Sequence, residues 1–255
     1  GGDRATIWTD LLRRISDTIS SVEQIQNEQK DQLTPYALLL VGGSGVGKSS
    51  MANSLMRFLL SANGFDHRDE NVVTLNTRSQ YDDAVRNDTT GIILDDLANS
   101  KPAHAERTTS SIVISTINPL AQPATKADVA EKGKVNIQPK IVIGTTNNAT
   151  LNSDKESVNP GSVLRRFQNH VEISVKDHFK TDSGNMIDPK KIPSAMKDGF
   201  HNLWNFKVIR YAAGSMSSSI PEKIVVEEFC SVTALVDFLR KDSDRHFEND
   251  NIALA

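Results

Sequence analysis

Short aliphatic runs alternate along this chain with polar stretches of helical period. Tyr36-Ala37-Leu38-Leu39-Leu40-Val41, Gly91-Ile92-Ile93-Leu94 and Lys140-Ile141-Val142-Ile143 are continuous rather than alternating, which suits strands buried on both faces of a parallel sheet. Val72-Val73-Thr74-Leu75-Asn76 predicts a further short strand, and Val171-Glu172-Ile173-Ser174-Val175 predicts the last one of the sheet. Between the runs the period lengthens. Ser50 to Leu60 places Met51, Leu55, Phe58 and Leu59 on one helical face, and Asn63-Gly64 stops that helix. Shorter helices are expected over 79–86, over 104–117 and after Asn159-Pro160-Gly161-Ser162.

The ends of the chain follow other patterns. Residues 5–30 read as a helix with Ile7, Leu11, Leu12, Ile15 and Ile19 on one face. That face suits packing on the body or on a neighbour, and Trp8 with Arg13 and Arg14 leaves a membrane-surface role open. Within Asp177 to Ile220, Asp182-Ser183-Gly184 and Met216-Ser217-Ser218-Ser219 read as loops. Phe229, Val232, Leu235, Val236 and Leu239 form one face of a terminal helix, and the tail from Asp242 to Ala255 is charged and expected to fray. The chain therefore divides into an N-terminal helical segment (1–34), an α/β core (35–176) and a C-terminal extension (177–255).

Composition narrows the function classes. A chain of 255 residues holds one α/β domain and a small appendage. With 29 basic and 32 acidic residues the net charge is −3, so any contact with nucleic acid must be local. Cys230 is the only cysteine, which excludes an internal disulfide and a cysteine-cluster zinc site. The six histidines lack ligand spacing, so no zinc is expected. No apolar stretch reaches membrane-spanning length and no signal peptide is evident, so a soluble intracellular chain is the expectation.

Gly42-Gly43-Ser44-Gly45-Val46-Gly47-Lys48-Ser49 lies between the first strand and the first long helix. Such a turn converges backbone N–H groups and a helix N-terminus on a polyphosphate, and glycines permit the close approach. Gly42 to Ser50 form the expected nucleotide-binding set; Lys48 reaches the β- and γ-phosphates, and the Ser49 hydroxyl ligates Mg²⁺. Asp95 and Asp96 close the Gly91 strand, where open α/β sheets hold their ligands. Asp95 is expected to hold Mg²⁺, and Asp96 to orient or deprotonate the attacking water. Asn147, ending the third run, either senses the γ-phosphate through a water or simply caps its strand.

The order of these parts, with Leu94-Asp95-Asp96-Leu97, Glu131-Lys132-Gly133, Thr145-Thr146-Asn147 and Leu164-Arg165-Arg166-Phe167, resembles a superfamily 3 helicase of the AAA+ type. More narrowly it is similar to the non-structural ATPase/helicase of picornavirus-like positive-strand RNA viruses. The resemblance spans about residues 36–176. It implies that Asn147 is the sensor and that Arg165 and Arg166 act in trans on ATP held by the adjacent subunit. It also implies a homo-oligomeric ring, drawn as a hexamer, that threads single-stranded RNA past loops in the 120–139 stretch. There Lys126, Lys132, Lys134 and Lys140 stand against Asp128 and Glu131, and no aromatic residue is available for base stacking. A solvated hairpin without an RNA role is the other reading. In relatives a C-terminal helix docks into the next subunit, and the Phe229–Leu239 stripe suits that or packing on its own domain. Two features depart from the family. Cys230 cannot form the zinc element of many animal-virus members, and the membrane-binding N-terminal region is not evident, as in a soluble fragment.

The resulting expectation is an α/β P-loop NTPase of AAA+/superfamily 3 type. Its five-stranded, mostly parallel sheet has the order 5-1-4-3-2, helices on both faces and a small C-terminal extension. The expected activity is Mg²⁺-dependent ATP hydrolysis by an oligomeric ring acting on viral RNA. Other viral replication proteins are its expected partners, in the host-cell cytoplasm at membrane-associated replication complexes. Three alternatives stay open: an AAA+ protein remodeller or helicase loader, a nucleotide-switched replication-complex scaffold, and a metabolic kinase. The paired arginines argue mildly against the kinase.

Overall fold

The computed structural model describes residues 12–15, 18, 33–99, 106–182, 184–194, 202–212 and 220–254. Of the helix expected over 5–30, residues 12–15 and 18 are described and helical, whereas Ile7, Trp8, Leu11 and Ile19 lie outside the described residues, as do Ser183 and the loop at 216–219.

Among the described residues nine strands are formed in chain order: β1 (Tyr36–Val41), β2 (Val72–Leu75), β3 (Gly91–Leu97), β4 (Gln122–Pro123), β5 (Asn136–Ile137), β6 (Ile141–Thr146), β7 (Asn169–Val175), β8 (Trp204–Tyr211) and β9 (Lys223–Phe229). Among the described residues from 33 onward the α-helices are α1 (Lys48–Ala62), α2 (Thr109–Thr116), α3 (Ser153–Glu156), α4 (Pro160–Leu164) and α5 (Val232–Leu254). The main sheet runs β2-β3-β6-β1-β7-β8-β9. Its first five strands are parallel, in the expected order of 5-1-4-3-2 read from the other edge.

The sheet has seven strands rather than five. After β7 the chain returns and adds β8 and β9, both antiparallel. The clue lay in Trp204-Asn205-Phe206-Lys207-Val208, where apolar and polar residues alternate; Trp204, Phe206 and Val208 are buried and Asn205 is exposed. β9 is an edge strand carrying Lys223, Glu227 and Glu228, charges that discourage pairing with another chain.

Both faces of the sheet are covered over its parallel part. On one, Leu38, Leu40, Ile143 and Val171 meet Met51, Leu55 and Leu59 of α1 and Leu235, Leu239 and Phe247 of α5. On the other, Leu39, Ile92, Leu94 and Val142 meet Ile112 and Val113 of α2 and Val163 and Leu164 of α4. Burying aliphatic side chains of this size stabilises by about 1.5–3 kcal/mol each, so the sheet interior is the main source of stability.

Several local expectations change. Residues 79–86 form turns, not a helix: Ser79 bonds the carbonyl of Tyr81, and buried Asp82 pairs with Arg107 at 2.8 Å while accepting from the Thr125 N–H. Such side-chain bonds to backbone compete with helix. The helix expected over 104–117 is α2, which starts only at Thr109 with the Thr108 side chain accepting from Ser111 N–H. Phe229 belongs to β9, outside the helix it was expected to share. The terminal helix packs on its own domain, and helix continues through the tail expected to fray. Asp242 anchors it, accepting from Tyr36 Oη at 3.1 Å, Asn169 Nδ2 at 2.6 Å and Arg210 at 2.7 Å. Burial alone raises the Asp242 pKa, but these donors outweigh it and hold the carboxyl below its ordinary value.

Candidate active site

Three neighbouring parallel strands, β3, β6 and β1, end together, with Thr146 level with both Val41 and Leu97. Their carboxyl ends carry the Asp95-Asp96 pair, Asn147 and the glycine-rich loop. The loop leaves β1 with Gly42 N–H bonded to Thr146 O at 3.1 Å and enters α1 through Gly47. Gly45 and Gly47 lie at φ +73° and +92°, conformations that a side chain would strain. Ser44 and Gly45 are exposed, Val46 and Lys48 are buried, and Ser49 and Ser50 are exposed on the first turn of α1.

Lys48 joins the pieces. Its ammonium donates to Gly42 O at 2.9 Å, Gly43 O at 2.8 Å and Asn147 Oδ1 at 2.7 Å. Burial lowers its pKa, and the nearby charges of Asp96 and Asp95 oppose that shift. The residues predicted to cradle phosphate, hold the metal and sense the γ-phosphate are therefore assembled in one place.

The acidic pair sits on an irregularity. The register of β3 against β6 shifts between Leu94 and Leu97, and Asp96 and Ala98 take φ of 57° and 58°. A bulge re-aims side chains at a strand end, and non-glycine residues at positive φ need support from their surroundings. Thr145 gives it: its hydroxyl donates to Asp95 Oδ1 at 2.8 Å and accepts from Asp96 N–H at 2.9 Å. Thr146 adds a bond to Leu97 O at 2.7 Å. Thr145 was read as part of a motif with no role of its own. Its face on β6 is legible in sequence, but the bulge opposite it is not.

The arginines lie elsewhere. Arg165 and Arg166 follow α4 and precede β7, whose Asn169 is level with Leu38 and whose Glu172 is level with Val41. They stand at the amino end of the strands, whereas the phosphate loop is at the carboxyl end. Gln168, just after them, donates its N–H to Ala37 O, four residues or ~13 Å of strand below Val41. Arg165 is exposed and donates to Ala212 O at 3.4 Å. Arg166 is half-buried against Ile117 O, and burial lowers its pKa.

The 120–139 stretch is a hairpin of β4 and β5 with Gly133 at its turn. Lys132 and Lys134 are exposed on it. Lys126 is not: it is 2% exposed, and its ammonium donates to Asp83 O at 2.9 Å and Val85 O at 2.6 Å. Lys126 is therefore a structural brace between hairpin and core, and leaves the candidate RNA-facing set.

Parallel order, glycine-rich loop, lysine and paired carboxylates together define a P-loop nucleoside-triphosphatase fold. Residues 38–148 match the RNA helicase family. The chain is 28% identical over 162 residues, 64% of its length, to the genome polyprotein of Porcine enterovirus 9 (strain UKG/410/73). It spans about 7% of that polyprotein's length. The resemblance to a superfamily 3 helicase of picornavirus-like viruses, read from the motifs, is borne out by these two matches.

Proposed function

We propose that this protein hydrolyses ATP with Mg²⁺ in a homo-oligomeric ring and couples hydrolysis to binding, remodelling or unwinding of viral RNA. The observation that carries the reading is the convergence of Lys48, Asn147, Asp95 and Asp96 at one sheet end while the arginines stand at the other. The donor set fits the metal: Ser49 is exposed at the start of α1, and Asp95 has one oxygen held by Thr145 and a second free to face a hydrated ion. Mg²⁺ takes few protein ligands and keeps waters and phosphate oxygens for the rest. Bound there, it would neutralise charge on the β- and γ-phosphates. Lys48 would exchange its carbonyl partners for phosphate oxygens, Asn147 would be released to hold a water, and Asp96 would accept its proton.

Phosphoryl transfer also needs a cation on the transferring group, worth roughly 10³–10⁵ in rate. The chain's own Arg165 and Arg166 lie toward the opposite end of the strands, which supports their serving the site of a neighbouring copy. In a ring, the amino end of one sheet would face the cradle of the next. Lys132 and Lys134, repeated in every copy, would contact RNA backbone with strong salt dependence. By analogy with the matched polyprotein, action in the host-cell cytoplasm with other viral replication proteins follows, and membrane attachment belongs to regions this chain does not make evident.

The test is ATPase rate against protein concentration, with and without single-stranded RNA. Lys48→Ala and Asp96→Asn should lose nearly all turnover. Arg165→Ala and Arg166→Ala are tested separately, and at least one should be inactive alone yet regain turnover when mixed with Lys48→Ala. Full activity of isolated monomers would remove the ring. An ATPase indifferent to RNA at low salt would instead be a protein remodeller.

A further inference from the structure

A loop that turns its N–H groups toward an anion leaves its carbonyls facing outward, and these need donors of their own. Lys48 meets the carbonyls of Gly42 and Gly43. Those of Gly45 and Val46 are met from the C-terminal part of the chain. Ile187 N–H donates to Gly45 O at 3.2 Å, and the Trp204 indole N–H donates to Val46 O at 2.7 Å.

The same segment fills the space around both left-handed glycines. A Cβ on Gly45 would come within 2.9 Å of Met186, and one on Gly47 within 3.4 Å of the Trp204 ring and 3.7 Å of Ile187. These contacts are themselves braced. Lys180 and Ile187 form an antiparallel bridge, Thr181 N–H bonds Met186 O at 3.0 Å, and Asp188 N–H bonds Phe179 O at 2.8 Å. Lys191 closes the hairpin through Lys180 O at 2.7 Å and Asp182 at 2.6 Å. Trp204 is 7% exposed, begins β8 opposite Val175 and is part of the α1-side core. A buried indole N–H requires a partner, and here the partner is a carbonyl of the phosphate loop.

We propose that Trp204 and the paired residues Lys180–Thr181 and Met186–Ile187 are positioning elements that clamp the outer side of the phosphate loop, holding it in anion-binding shape and so setting nucleotide affinity rather than the rate of the chemical step. This rests on the nucleotide reading above. A clamp that pre-forms the loop removes ordering cost at the moment of binding. Its loss should therefore weaken ground state and transition state alike, raising KM and leaving kcat in place.

The chain has two tryptophans, so Trp8→Phe leaves Trp204 as the sole indole emitter. In that background, ATP–Mg²⁺ binding is measured by calorimetry and by Trp204 emission, together with melting of the nucleotide-free protein and steady-state ATPase. Trp204→Phe, which keeps an aromatic ring and loses the N–H, should weaken ATP binding about tenfold, equivalent to ~1.4 kcal/mol, with KM rising in parallel and kcat within about twofold. Emission of the native Trp204 should change on saturation with ATP. Unchanged affinity in a folded Trp204→Phe protein, or emission indifferent to saturating ATP, overturns the clamp. Should Trp204→Phe fail to fold, Met186→Ala decides. Met186 is 47% exposed, and its truncation should still weaken ATP several-fold; wild-type affinity there overturns the proposal. Lys48→Ala, run alongside, separates the two claims. If the unmutated site binds no ATP, the nucleotide reading and the clamp fall together. If it binds and Lys48→Ala does not, while Trp204→Phe behaves as wild type, the clamp alone is lost.

Discussion

Thr145→Val is the sharpest probe of how the acidic pair is held. The substitution keeps shape and volume in a residue only 1% exposed, and removes one hydroxyl. That hydroxyl makes the 2.8 Å bond to Asp95 and the 2.9 Å bond from Asp96 N–H. A hydrogen bond to a charged group contributes about 1.5–3 kcal/mol and one to a backbone amide about 1 kcal/mol. Asp95 is half-exposed and water replaces part of its loss, so a net destabilisation of about 2 kcal/mol is expected. For a chain of this length that is a fall of roughly 4–8 °C in melting temperature. Activity should suffer more than stability, because Asp96 sits at φ 57° on a bulge that this hydroxyl holds in place. A displacement of about 1 Å at a reacting group can cost about 100-fold, so kcat should drop by about 10–100-fold. Thr145→Ser, which retains the hydroxyl, should stay near wild type in both. The assay is a thermal melt beside steady-state ATPase at saturating ATP–Mg²⁺. A Val variant that melts within a degree of wild type and turns over within twofold refutes the role given to Thr145.

Three further expectations follow from buried groups. Burial pushes the His170 imidazole down to about 4 while Nε2 is held to Leu164 O at 2.8 Å; an unfolded imidazole titrates near 6.5. The unfolded state thus takes up the proton first. Stability is full above pH ~6.5 and is lost as pH falls toward 4, by on the order of 3 kcal/mol; melting curves across that range should flatten in His170→Phe, and an unaltered slope would count against it. Lys126→Met should lower the melting temperature and leave RNA affinity alone, whereas Lys132→Ala with Lys134→Ala should do the reverse, as read by melting and by salt-dependent RNA binding. Gly144→Ala would bring a Cβ within 2.7 Å of Leu39, 3.1 Å of Leu97 and 3.2 Å of Phe167, an overpacking that should cost about 1–3 kcal/mol in chemical denaturation; a denaturation midpoint equal to wild type would show the core gives way freely.

The elements that meet at the proposed nucleotide site were mostly legible in the sequence. The run Tyr36–Val41 followed by Gly42 to Ser50 admits few other structures, and Asp95-Asp96 and Asn147 each end an aliphatic run whose burial is written in its composition. Periodicity failed where polar side chains chose distant partners. Lys126 looked like a solvated cation beside Lys132 and Lys134, yet the carbonyls of Asp83 and Val85 draw it inside. The tail beyond Asp242 looked frayed by its charge, yet Asp242 finds Tyr36, Asn169 and Arg210 on three strands of the sheet.

What the amino-acid order determined alone is local: which segments are strands, where a backbone can approach a phosphate, and which carboxylates end a buried strand. Those depend on residue size, polarity and spacing over a few positions. Only the tertiary structure decided the bulge that Thr145 holds, the two strands added beyond β7, the hold of Trp204 on the phosphate loop and the distance between the arginines and the cradle. Each joins residues far apart in the chain, and such pairings are selected by the free energy of the whole packed sheet.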